Sequence, residues 1–302
     1  MEEFLVKKIK IASLSPQPLL LIMATFTLIA VPLRMFQLTN CIDATTGFWV
    51  VKDVTMWILY ILCAVFVVIA FFISFLSGIM KMPELDDKRD IPLAIFASLL
   101  SIALIVDAVR KVPLLITLIE KIDGPFGIET VIYIISSGTL PLALQVLSVF
   151  FATIYIMFVA VSFIKGNGAY KKRRLLALWP TLWAMFRLIY HFIDPINYKN
   201  VSQLFFQMIL LSFMMIFYLS FARLASQVNA DNSMSTLWFS GISAAFMGFV
   251  SSLSPILLMI FGKADLLPAH YPVYFSDLAF ALFVTAFLFT VVPRTIKKKI
   301  ES

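Results

Sequence analysis

The sequence predicts an all-α membrane protein, a single bundle of about eight transmembrane helices with both termini in the cytoplasm. Three observations carry this reading. Apolar residues make up 61% of the 302 positions, charged residues 14%, and mean hydropathy is +0.97. A soluble domain of this length cannot hide so much apolar surface. The apolar residues are also gathered into stretches long enough to cross roughly 30 Å of hydrocarbon, with little chain between them. Finally, the basic residues divide unevenly between alternate connections, as the positive-inside rule requires.

Residues 1–15 are basic and amphipathic, with Phe4, Leu5, Ile9 and Leu14 suited to the membrane surface and Lys7, Lys8 and Lys10 to water. No small-residue cleavage site follows the first apolar run, so that run is expected to be a retained span. The spans are expected at 18–38, 54–80, 91–110, 137–164, 175–194, 202–225, 234–261 and 271–292. Residues 111–135 are read differently. LLITLI is too short to cross, and Glu120, Lys121, Asp123, Gly124 and Pro125 follow it, so a surface-lying or re-entrant piece is expected. No connection is long enough to fold alone, and the whole of 1–302 is one transmembrane domain.

With this topology, sixteen Lys and Arg residues fall on inner segments and seven on outer ones, KGNGAYKKRR (165–174) being the strongest inner marker. The net charge of +7 is thus explained by helix ends, and nucleic-acid binding is not expected. Membrane lipids are the expected surroundings, and the basic inner loops are a candidate surface for a cytoplasmic protein partner. Pro255, in SSLSPIL, lacks an N–H and crowds the preceding turn, and is expected either to make a kink that neighbouring helices accommodate or to break the seventh span near its middle and open a site or gate. The small residues Gly241, Ser243, Ala244, Ala245 and Gly248 before it suit close helix packing.

Ionisable groups inside hydrocarbon need a partner, water or an interface. Most here lie toward the predicted outer side. Arg34 and Gln37 share a face of span one, and Asp107 and Arg110 share a face of span three. Arg187, His191 and Asp194 form one stripe on span five, and Asp277 lies in the outer half of span eight. Gln145 and Thr139 are at comparable height in span four. One construction joins these groups into a polar cavity open to the outside, with Arg187 and Arg34 gripping an anionic group through their forked donors. The other is structural: Arg187 pairs with Asp107 or Asp277 and locks the bundle. The loop LTNCIDATTGFWV (38–50) is expected either to form an anchored hairpin or to cover the cavity with Asp43 facing the cluster.

The chain contains no GxxxxGK[ST], GxSxG or HExxH, and two lone cysteines, Cys41 and Cys63, do not make a metal site. No cofactor, metal or catalytic residue is expected. The ligand expected from the arginines is a small anionic or zwitterionic solute, recognised or transported from the outer face. A membrane sensor or assembly subunit and a membrane enzyme acting on lipid or envelope precursors are the alternatives.

RMFQLTNCIDATTGFW (34–49), ALWPTLWAMFRLIYHFID (177–194) and MIFYLSFARL (215–224) resemble segments of poorly characterised multi-pass membrane proteins of Clostridia and related Firmicutes. The resemblance implies a bacterial plasma membrane and nothing chemical. Its motif positions here are Arg34, Gln37, Asp43, Thr46, Gly47, Arg187 and Arg223.

Overall fold

A computed structural model of the chain describes residues 17–43, 47–50, 54–76, 85, 88–122, 127–193, 201–228, 233–268 and 271–301. They form a helical bundle, and the sole extended pairing among them is an isolated bridge between Ile42 and Trp49. The helices are α1 (Gln17–Asn40), α2 (Val54–Leu76), α3 (Ile91–Glu120), α4 (Ile128–Ser136), α5 (Thr139–Lys165), α6 (Trp179–Ile193), α7 (Val201–Ser226), α8 (Ser233–Gly248), α9 (Ser254–Ile260) and α10 (Phe275–Glu301). A π-helical turn, Phe249–Leu253, joins α8 to α9 into one continuous rod. Among the described residues seven helices are long and apolar enough to span a membrane, and Phe275–Val291 of α10 is a shorter apolar stretch. The protein is a polytopic membrane protein.

The rod of α8 and α9 is the centre of the bundle. Of its most apolar stretch 72% is buried, against 28% for α1 and for α2, whose outer faces carry Leu28, Trp57 and Ile61 toward lipid. Small residues place it there. A Cβ on Gly241 would lie 2.9 Å from the Phe217 ring of α7, and one on Gly248 would lie 3.0 Å from Ala281 and 3.1 Å from the Asp277 carbonyl of α10. Glycine lets the three backbones approach, as it does in membrane bundles where dispersion rather than water exclusion drives helix association.

One helix end lies well beyond the sequence reading. The span expected to stop at 110 continues to Glu120. Arg110 and Lys111 do not end the helix, because each lays its charge on an aromatic ring of a neighbouring segment, Phe275 for Arg110 and Tyr190 and Tyr274 for Lys111. Pro113 is accommodated within the helix. At its other end α3 is fixed by Asp90, whose side chain accepts from the Leu93 N–H at 3.1 Å. The expected surface or re-entrant piece 111–135 is therefore two things: the last turns of α3, and the separate helix α4 with Ile128, Val131, Ile132 and Ile135 exposed. Residues 77–80 of the expected second span lie outside the described residues.

The seventh span is not broken at Pro255 but continues through it, and the irregularity is confined to the π turn. Pro255 has no N–H for the Ser251 carbonyl, and the π turn ends two residues before it.

Candidate functional site

Two buried polar networks lie toward the predicted outer end of the bundle. The first is built on Arg34 of α1, which is 0% exposed. Its Nη1 donates to Gln37 Oε1 at 3.4 Å, and its Nη2 to Ser202 Oγ at 3.2 Å and Gln203 Oε1 at 3.5 Å on α7. The guanidinium stands 5.1 Å from the centre of the Phe206 ring. Gln37 in turn donates to the Thr55 carbonyl at the start of α2, 2.8 Å away. Gln203 is the hub. Its Nε2 donates to the Ser251 carbonyl in the π turn at 3.2 Å, and its Oε1 also accepts from the Tyr271 hydroxyl at 2.5 Å. Burial pushes the Tyr271 phenol up while the Arg34 charge and hydrogen bond oppose the rise, so the phenol is a donor at neutral pH.

Among the described residues every hydrogen-bond partner of Arg34 is neutral. Among the described residues no carboxylate pairs with it, and its Nε has no acceptor. A buried cation with neutral oxygens alone is a costly arrangement in a membrane. Its electrostatic complement is an anion.

The second network is neutralised internally. Arg187 of α6 and Asp277 in the first turn of α10 are 2% and 1% exposed and form a bidentate pair, with N–O distances of 2.5 and 2.8 Å. The guanidinium also stacks on Tyr274 at 4.1 Å and faces Trp183 at 5.6 Å. Asp277 gains from its place at a helix N-terminus, where the backbone dipoles favour negative charge. Asp107 of α3 adds a cap from outside the helix, its Oδ2 accepting from the Ser276 N–H at 2.9 Å. Beside these groups lies a cavity of about 10 Å³, at the lower limit for one water molecule. Asp107, Lys111, Gln145 and Arg187 contribute to its lining, and Asp107 Oδ1 and Gln145 Oε1 have no hydrogen-bond partner.

The candidates from the sequence thus divide. Arg34 and Gln37 belong to the first network, and Asp107, Arg187 and Asp277 to the second. His191 is buried one turn beyond Arg187, with its ring 6.1 Å from Tyr274 and its Nε2 without a partner. Arg110 is exposed at the rim, donating to the Val273 carbonyl at 3.4 Å. Asp43 forms a backbone turn, its N–H donating to the Phe48 carbonyl and its carbonyl accepting from Gly47 N–H. Asp194 lies outside the described residues. Ser202, Gln203, Tyr271, Tyr274 and Ser276 were not singled out by the sequence. The signal for Gln203 was present in the polar pair with Gln207, one turn apart within an apolar span, but neutral amides raise less alarm than charges. The segment Tyr271–Asp277 joins the networks, with Tyr271 in one and Tyr274, Ser276 and Asp277 in the other. Among the described residues neither cysteine is in a disulfide, and no cluster of His, Cys, Asp and Glu could hold a metal ion.

No family model matches the chain, and no curated protein or solved structure matches it.

Proposed function

We propose that the protein recognises or transports a small anionic or zwitterionic solute that reaches it from the predicted outer end of the bundle. The observation that supports this reading is the buried guanidinium of Arg34, held by neutral oxygens and lacking a carboxylate among the described residues. Its forked donors suit a carboxylate or phosphate group, and in a low-dielectric setting that pairing is strong. Arg187 has its charge met by Asp277, so it supports the site as a fixed strut rather than as the first grip on the solute. A transport step would draw on the π turn before Pro255, because Gln203 contacts both Arg34 and that turn. The basic inner loop offers less to the sensor or assembly alternative, since Lys171 Nζ donates to the Leu85 carbonyl at 2.7 Å and Arg173 lies over the Phe158 ring.

The test is a thermal-stability screen of the purified protein against monocarboxylates, amino acids and phosphorylated metabolites, repeated with Arg34→Gln and Arg187→Ala. A saturable shift for one class that vanishes in folded Arg34→Gln supports the reading. Equal shifts in wild type and Arg34→Gln would remove its basis. Flux into sealed vesicles then separates transport from recognition.

A further inference from the structure

A lateral groove of about 380 Å³ runs between α3 and α10. Leu99, Ile102 and Val106 line it from one side, and Phe275, Leu278 and Leu282 from the other. Its walls are almost entirely carbon, and several of these side chains are exposed on the lipid-facing surface. The groove has a direction. The helices run antiparallel, and the hydrogen bond from Ser276 N–H to Asp107 Oδ2 ties the Val106 end of α3 to the Phe275 end of α10. Leu99 and Leu282 therefore mark the deep end, and Val106 and Phe275 the end nearer the predicted outer surface.

At that outer end stands a cation. Arg110 is one helical turn beyond Val106, on the same face. Its guanidinium lies 4.8 Å from the centre of the Phe275 ring, so one aromatic side chain both walls the groove and supports the charge. Among the described residues Arg110 forms no ion pair, and its one hydrogen bond is the 3.4 Å contact with the Val273 carbonyl. Asp107, the nearest carboxylate along α3, directs one oxygen to Ser276 instead. Arg110 is exposed and most of its donors have no acceptor among the described residues, in a place where a long basic side chain reaches the headgroup layer.

We infer that this groove is a binding site for one anionic phospholipid of the outer leaflet, with an acyl chain between α3 and α10 and its phosphate on Arg110. A carbon-lined slot with a single cation at its outer end matches an amphiphile of that polarity. Bidentate phosphate recognition is what arginine geometry favours. The site is separate from the Arg34 network and does not depend on the solute reading.

The experiment is native mass spectrometry of the full chain, titrated separately with phosphatidylglycerol and phosphatidylcholine of the same acyl chains. One phosphatidylglycerol should be retained at lower concentration than phosphatidylcholine. Arg110→Gln should weaken phosphatidylglycerol retention about tenfold and phosphatidylcholine, whose phosphate charge is already offset by its own choline, by clearly less, while Arg110→Lys should recover part of the preference. Ile102→Trp, at a lipid-facing position where a large ring is tolerated, should obstruct the slot and weaken both lipids. Equal retention of the two lipids by wild type, or no change in Arg110→Gln, overturns the proposal. So does full competition by glycerol phosphate, which would mean that a free anion suffices without the groove.

Discussion

The side-chain amide of Gln203 stands 3.2 Å from the carbonyl oxygen of Ser251, the acceptor that Pro255 leaves without its usual helical donor. The π turn and the amide are two halves of one solution. The turn makes room for the proline ring, and α7 supplies the missing N–H from outside the helix, the way membrane bundles satisfy a backbone group that water cannot reach. Because the other end of the same amide accepts from Arg34 and Tyr271, the irregular turn and the buried cation share a residue. A change at one is communicated to the other through a single side chain.

Gln203→Glu tests this sharing. A carboxylate at 203 gives Arg34 an internal counter-ion but loses the N–H that the Ser251 carbonyl accepts, so the protein should remain folded at a cost of about 1–3 kcal/mol while anion binding weakens by at least about tenfold in titration calorimetry. Undiminished affinity for an anion that shifts the wild-type melting curve would exclude Arg34 as its partner. Gln203→Leu should instead destabilise the bundle by about 1–3 kcal/mol for each buried polar group left unpaired, read from denaturant unfolding in detergent.

The Arg187–Asp277 pair should behave as a lock. Removing either partner alone, as Arg187→Ala or Asp277→Ala, leaves a buried uncompensated charge and should cost about 3–5 kcal/mol. The double replacement Arg187→Met with Asp277→Leu should recover much of that loss, because both desolvated charges go together. A double-mutant cycle with Arg187→Met and Asp277→Leu as its single variants gives the coupling from unfolding free energies, and additive losses would show that the pair contributes none.

Pro255→Ala restores an N–H that competes with Gln203 for the Ser251 carbonyl. The π turn should shrink toward a regular helix, and amide hydrogen exchange at 250–256 should slow as the local opening becomes less favourable. Stability should hold or rise modestly. Unchanged exchange there would mean that packing against α1 and α10, rather than the proline, maintains the irregular turn.

Gly248→Val should be among the most damaging small substitutions. Even a Cβ meets Ala281 and the Asp277 carbonyl at 3.0 and 3.1 Å, so a branched side chain must push α8 away from the first turns of α10. Overpacking of this kind costs about 1–3 kcal/mol, and more where backbone is the obstacle. The melting temperature should fall. Any anion-induced shift should weaken as well, since Asp277 belongs to the segment that also carries Tyr271.

The amino-acid sequence by itself determined the class, most of the helices and the place of an irregularity beside Pro255. Those depend on local or near-local properties: hydrocarbon-length apolar runs, small residues at Gly241 and Gly248, and a missing N–H at Pro255. It also marked Arg34, Arg187 and Asp277, because a charge inside an apolar run stands out wherever it is folded. Which charge meets which was decided only by tertiary structure. Asp107 and Asp277 were equivalent candidates along the chain, and helix placement gave Arg187 to Asp277 while Asp107 capped α10. The same placement separated Arg34 from that pair and surrounded it with Gln37, Ser202 and Gln203, neutral side chains whose roles depend on contacts across the bundle. The extension of α3 past Arg110 was hidden for a related reason. A Lys or Arg in a sequence reads as a helix end, and only the rings of Phe275, Tyr190 and Tyr274, brought from other segments, let those charges sit along a helix that continues.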